Sequence, residues 1–265
     1  GIMFLCTPFD KVSAELVNSL GVEFFKVSSA DLTNFHLLDV LTEYDKPLII
    51  STGMSTFEEI DKTVEFLNKK KSDYILLHCV SSYPVNYGDA NLTRIGKLQE
   101  RYNCLVGYSG HDDGVSLALA AVALGAVVVE KHITLDRSLR GPDHKFSLLP
   151  EDLKTLCEEI EKVDLSLSSE KNYILQGEKL NSMVFRKSVV ANSEIKSGEI
   201  ITRDMLTAKS PDNGLSVQRI FDLEGKTAKH DFKKNDLFYE SDVSGNSSSS
   251  LITSLKWANQ GYVVR

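Results

Sequence analysis

Residues Val127–His144 read VVVEKHITLDRSLRGPDH. A run of valines, the signature of a strand buried on both faces, breaks into Glu130, Lys131 and His132 and then into a polar loop holding Arg, Gly, Pro, Asp and His. Burying unpaired charge costs several kcal/mol or more. The C-terminal end of this strand therefore lies open to water, or it binds something.

The same pattern recurs upstream. Short β-rich runs at Met3–Thr7, Phe24–Ser28, Leu48–Ser51, Tyr74–Val80, Leu105–Tyr108 and Val127–Ile133 alternate with stretches of helical spacing. In STFEEIDKTVEFLNKKK, Ser55 or Thr56 is the expected cap, and Glu58 and Glu59 fall in the first turn. DGVSLALAAVALGA is almost entirely small and apolar, which suits a helix packed closely on a sheet. Apolar strands alternating with helices predict an α/β fold with a covered parallel sheet.

Such a sheet is either open and doubly wound or closed into a barrel. Polar residues stand at the C-terminal end of all six predicted strands: Thr7; Lys26 with Ser28 and Ser29; Ser51 and Thr52; His78 with Ser81 and Ser82; Ser109 with His111; Lys131 with His132. A doubly wound sheet concentrates its ligand site at one switch point. A (β/α)8 TIM barrel gathers every strand end into one site. The even decoration favours the barrel, with six units counted where eight are needed.

Composition narrows the function. The 265 residues are 42% hydrophobic and 25% charged, ordinary for a folded soluble domain, and no apolar run approaches a membrane span. The net charge of -7 is spread rather than blocked, which argues against a nucleic-acid surface. An anionic ligand must then be held by local groups. Cys6, Cys79, Cys104 and Cys157 show no zinc spacing and are expected to be structural, with Cys6 and Cys79 in apolar strand-like runs as small hydrophobes; a reducing cytoplasm fits.

Candidate chemistry follows from the strand ends. His111 and His132 end neighbouring strands, and two imidazoles with open positions suit a divalent cation. The plainer alternative is a hydrogen-bonded histidine pair. Lys26 sits in an apolar strand, where it must pair or bind an anion. It is either a phosphate ligand, joined by Ser29, Ser51, Ser109 and Thr7, or a Schiff-base lysine. The hydroxyl ring favours phosphate. Tyr83, in SSYP, and Asp143, in GPDHKFSL, fall near the barrel mouth, although each alone would be read as a packing aromatic and a solvated carboxylate.

From about residue 183 the texture changes to short strands, Gly-centred turns and one short helix begun by Thr202. The expected organisation is a barrel domain over 1–165, a linker over 166–183 and a small second domain over 184–243. Residues 244–265 read as a Ser-rich linker followed by an apolar-aromatic segment that would open a further domain.

FLCTPFD, FFKVSSADLTN, PLIISTGMS, LLHCVSSYP, VGYSGHDDG, VEKHITLD and GPDHKFSLLPEDL occur in the order, and near the spacings, of the sialic acid synthase (N-acetylneuraminate synthase) family, and 184–243 resembles its C-terminal SAF, or antifreeze-like, domain. The resemblance spans residues 4–243. It implies a (β/α)8 barrel followed by the SAF domain. It also implies a transferase that condenses phosphoenolpyruvate with an N-acyl hexosamine, typically N-acetylmannosamine, giving a nonulosonic acid and phosphate. Against that pattern the chain starts at the third strand, which accounts for six units instead of eight.

The roles implied are a manganese or magnesium ion on His111 and His132, and phosphoenolpyruvate on Lys26, Ser29, Ser51, Ser109 and Thr7. Ser81 stands where the family often has Asn. Tyr83 and Asp143 match amino-sugar contacts. Glu130 and Lys131 are both expected to turn away from His132, toward the helix layer. The family pattern further implies a domain-swapped homodimer in which the SAF domain covers a partner's barrel mouth, by means of an Arg before a Pro. Here the segment is KSPDNG, with Ser210 in that place and Lys209 a poorer planar donor. Legionaminic and pseudaminic acid synthases share these motifs, so the sugar stays open. The rival classes are a Schiff-base barrel aldolase acting through Lys26 and a truncated, non-catalytic ligand-binding fragment.

Overall fold

Strands of three to six residues, each followed by a helix, build the first half of the chain. In a computed structural model that describes residues 2–168 and 173–244, the chain divides into one unit ending at Glu170 and a second beginning at Lys171. The first unit holds strands β1 (Phe25–Val27), β2 (Leu48–Ser51), β3 (Tyr74–Cys79), β4 (Val106–Gly110) and β5 (Val129–Lys131). Its helices are α1 (Lys11–Ser19), α2 (Phe35–Thr42), α3 (Phe57–Lys70), α4 (Arg94–Tyr102), α5 (Ser116–Ala123) and α6 (Pro150–Leu167).

The five strands form one sheet, all parallel, in the order of the sequence. A doubly wound sheet reverses its order at a switch point. Sequential order without reversal is an arc of a barrel. The expected sixth strand is corrected: Met3–Thr7 has no strand assignment, and it approaches β1 through a bond from Lys26 N to Cys6 O of 3.4 Å. Beyond β5 the chain is held by a parallel bridge between Ile133 and Leu148, with Leu148 N donating to His132 O at 2.9 Å and Thr134 N to Leu148 O at 2.8 Å.

Strand alternation sorts the side chains onto two faces. Phe25, Val27, Leu48, Ile50, Leu76, Val106 and Tyr108 face the helices and join one core with Leu37, Leu41, Ile60, Leu67, Leu98 and Ala121. The intervening residues, Lys26, Ile49, Ser51, Leu77, Cys79, Ser109, line the opposite, inner face. They turn from aliphatic to polar toward the strand C-termini. Helix starts are set locally: Thr56 caps α3, and Glu59 returns the bond to the Thr56 backbone, a capping box.

The second unit contains α7 (Gln176–Phe185) and an antiparallel pair, β6 (Ser188–Ala191) with β7 (Leu206–Lys209). Val189, Ala191, Ile195, Leu206, Leu215, Phe232 and Phe238 form its separate core. Thr202 precedes a single 3-10 turn, Arg203–Met205. The apolar tail after the Ser run lies outside the described residues.

Candidate active site

Lys26 is 6% exposed and sits mid-strand on the inner face of β1. Its Nζ donates to Ser51 Oγ and to Val27 O, both at 2.8 Å, and lies 3.6 Å from Glu130 Oε2. Burial pushes the ammonium below its ordinary lysine value, and the Glu130 carboxylate opposes that shift. Ser109 Oγ donates to the other oxygen of Glu130 at 2.7 Å. One cation, one carboxylate and two hydroxyls thus meet across β1, β2, β4 and β5.

A second group of hydroxyls surrounds Gly53, just beyond β2. Gly53 N donates to Ser29 Oγ at 3.1 Å, and Ser29 Oγ donates to Cys79 Sγ at 3.6 Å. Ser81 Oγ is buried without a hydrogen-bond partner among the described residues. A Cβ on Gly53 would fall 2.3 Å from Ser81 Oγ and 2.7 Å from Ser29 Oγ. Only glycine lets these hydroxyls converge. A buried, unsatisfied hydroxyl in such a cup points to a missing acceptor or donor.

The histidines adjoin this cup. His111, directly after β4, places Nδ1 2.9 Å from Val80 O and 3.9 Å from Cys79 Sγ. A carbonyl only accepts, so Nδ1 carries the proton and Nε2 of the neutral ring keeps its lone pair. Burial opposes charge on His111, but bonding to Cys79 and Val80 outweighs it and raises its pKa. Cys79 responds in the opposite sense: burial disfavours the thiolate, while contacts with His111, Ser29 and Ser109 bring it below the ordinary thiol value. His132, directly after β5, stands edge-on to His111 with ring centroids 5.2 Å apart. Burial, then the neighbouring His111, lowers its pKa.

Tyr83 packs on His111 at 4.2 Å between centroids, and Phe146 lies 5.1 Å from His132. Asp143 Oδ2 is 3.8 Å from His132 Nδ1. Two imidazoles, in their neutral form, fit a divalent cation as ligands, with the Val80 carbonyl orienting one of them. Among the described residues no group of three or more His, Cys, Asp and Glu is placed to complete a metal site. Two rings alone do not complete a coordination shell, so any ion they held would need further ligands from outside this pair.

Lys26, Ser29, Ser51, Ser81, Ser109, His111, His132, Tyr83 and Asp143 accordingly share one region at the strand C-termini. Thr7 is half-buried on the segment whose Cys6 carbonyl meets β1. Ser210 belongs to the second unit, where its Oγ donates to Phe185 O at 3.1 Å; Lys209 donates to Asn235 Oδ1.

Three residues depart from the sequence expectation. Glu130 does not face the helices: it pairs with Ser109 in register and shares the inner face with His132, two residues on. Alternation alone carries that signal. Lys131 does face outward, where it meets Asp112. Cys79 is buried as expected but contacts site groups on the inner face rather than filling the core. His78 takes the other face, its Nε2 bonded to Ala90 O at 2.7 Å.

Comparison with known proteins identifies the family. Residues 1–172 match the NeuB family and residues 186–244 the SAF domain. The N,N'-diacetyllegionaminic acid synthase of Campylobacter jejuni is 40% identical over 242 residues, which are 90% of this chain and 72% of that protein. The N-acetylneuraminate-9-phosphate synthase of Mus musculus is 35% identical over 249 residues, 93% of this chain and 69% of that protein. The crystal structure of an N-acetylneuraminic acid (sialic acid) synthetase from Leptospira borgpetersenii superposes with a TM-score of 0.64 at 40% identity, covering 68% of this chain and 63% of that one. The chain belongs to the NeuB family of synthases and carries its SAF domain.

Proposed function

We propose that the chain condenses phosphoenolpyruvate with the open-chain aldehyde of an N-acyl hexosamine, giving a nonulosonic acid and inorganic phosphate. The observation that supports this best is the convergence of a buried cation and a hydroxyl cup with a histidine pair at one row of strand ends. The Ser29–Cys79–His111 contacts join the two halves.

In this reading Lys26, Ser51 and Ser109 hold the phosphate, and Ser29 and Ser81 fill out the cup around Gly53. Small donors around one desolvated cation make a strong, oriented anion site. Lys26 exchanges its Glu130 neighbour for phosphate oxygens as substrate enters. Tyr83 and Asp143, beside the histidines, orient the sugar. A divalent cation, manganese or magnesium, held by His111 and His132 would supply Lewis-acid polarisation of the aldehyde when bound.

Carbon 3 of phosphoenolpyruvate attacks the aldehyde carbon, water adds at carbon 2, and the C–O bond to phosphate breaks to leave the 2-keto acid. Fixing both reactants in register is the main contribution of the cup. The proposal extends to a complete eight-unit barrel, a swapped homodimer detectable as a dimeric mass by light scattering, and a cytoplasmic setting. Sialic, legionaminic and pseudaminic acid synthases are all among the relatives, so the reading leaves the sugar open among their substrates.

The test is phosphate release from phosphoenolpyruvate with N-acetylmannosamine and with diacetamido-hexoses in parallel, with manganese and then EDTA. The 265-residue chain and a version extended upstream by two β/α units are both assayed. Metal-dependent release with one sugar supports the proposal and names the substrate. No release with any sugar from the folded, extended protein refutes it. One observation favours the Schiff-base alternative: burial lowers the pKa of Lys26, the direction that such chemistry needs.

A further inference from the structure

Behind the histidine pair, on the helix side of the sheet, lies a buried ion pair to which the reading above gives no part. Lys131 Nζ is 3.1 Å from Asp112 Oδ1 and donates to Asp112 O at 2.6 Å, with the two side chains 2% and 0% exposed. Tyr108 OH donates to the same Oδ1 at 2.8 Å. Asp112 Oδ2 has no partner among the described residues. Every other ion pair among them is at least 34% exposed on one side chain or both, so this one is distinct in its burial.

Its place in the chain is what gives it meaning. Asp112 directly follows His111, and Lys131 directly precedes His132. The last register pair between β4 and β5 is Gly110 with Lys131, so beyond it no ladder bond holds the two strand ends together. The Lys131–Asp112 contacts span that unladdered step. Because adjacent residues point to opposite faces, a tie on the outer face sets the backbone from which each imidazole projects on the inner face.

Burying both charges is costly, and apolar isosteres often serve stability equally well. We propose that Lys131 and Asp112, backed by Tyr108, are positioning residues that set the spacing and orientation of the His111–His132 pair. The consequence for metal affinity rests on the histidine-anchor reading; the consequence for histidine geometry does not.

The test compares wild type with the double variant Asp112→Asn/Lys131→Met, which removes both charges together. Three readouts are taken: thermal melting, manganese affinity by electron paramagnetic resonance, and acylation rates of His111 and His132 by diethyl pyrocarbonate, resolved by mass spectrometry without metal. The double variant is expected to melt within a few degrees of wild type. Manganese binding should weaken about 10- to 100-fold, the range typical of lost outer-shell partners, and histidine acylation should rise at least fivefold. Lys131→Arg alone, which keeps the charge opposite Asp112, should leave both near wild type.

A double variant that folds with wild-type manganese affinity and wild-type acylation overturns the proposal and leaves the pair purely structural. If wild type binds no manganese, or His111→Ala leaves binding unchanged, the metal reading fails, and the acylation rates alone decide the clamp. If the double variant does not fold, Tyr108→Phe is the milder lesion: a two- to fivefold rise in acylation supports the clamp, and unchanged rates refute it.

Discussion

Gly53→Ala places one methyl group into the hydroxyl cup. The new Cβ would stand 2.3 Å from Ser81 Oγ, 2.7 Å from Ser29 Oγ and 3.1 Å from Cys79 Sγ, whereas ordinary contact begins at 3.4 Å. Ser81 Oγ must therefore retreat by about 1.1 Å and Ser29 Oγ by about 0.7 Å, taking the latter away from Gly53 N. Gly53 has no left-handed φ, so the backbone itself accepts alanine. Overpacking of this size costs about 1–3 kcal/mol of stability. Each hydroxyl withdrawn from a phosphate oxygen forfeits a charge-assisted bond of about 1.5–3 kcal/mol, or roughly 10- to 150-fold in affinity. Calorimetric titration with phosphoenolpyruvate and with inorganic phosphate, alongside urea unfolding, reads both effects. Adding Ser81→Ala removes the worst clash and should recover stability but not affinity. A folded Gly53→Ala variant that binds both anions as wild type would refute the cup.

Three further outcomes are expected. Lys26→Met should abolish anion binding and alter the pH profile of stability. Because burial lowers the native pKa of Lys26, the unfolded chain holds the extra proton, and stability rises with pH between that lowered value and the ordinary value of 10.5. The variant loses this rise in urea melts compared across alkaline pH, and an identical slope would contradict a buried, depressed amine. Borohydride with pyruvate should leave Lys26 unmodified by mass spectrometry; a trapped adduct would move the chemistry to the Schiff-base class. His132→Ala should eliminate phosphate release in the assay above, and near-normal turnover under excess manganese would remove His132 from the site.

The α/β class, the parallel sheet and five of the six strand cores were legible because period and composition are local properties: Leu48–Ser51 announces itself by its own residues. Met3–Thr7 is equally apolar, yet a strand exists only where a neighbour supplies a ladder, and one bond from Lys26 does not make one. His111 and His132 were legible as strand-end neighbours, since parallel order follows from the βα rhythm. Their 5.2 Å separation was not, because it depends on register.

Glu130 marks the boundary most clearly. Its identity and its parity with His132 are in the chain, but its partners, Lys26 and Ser109, lie 104 and 21 positions away and meet it only when β1, β4 and β5 curve onto one inner face. The pairing of Asp112 with Lys131 is of the same kind: alternation turns Lys131 toward the helix layer, but the partner it meets there is fixed by the β4–β5 register. Sequence by itself determined which groups carry charge, which can donate, and where the helices start, because those are properties of single residues and their near neighbours. Tertiary structure decided which of those charges face one another across strands, because that rests on register and curvature.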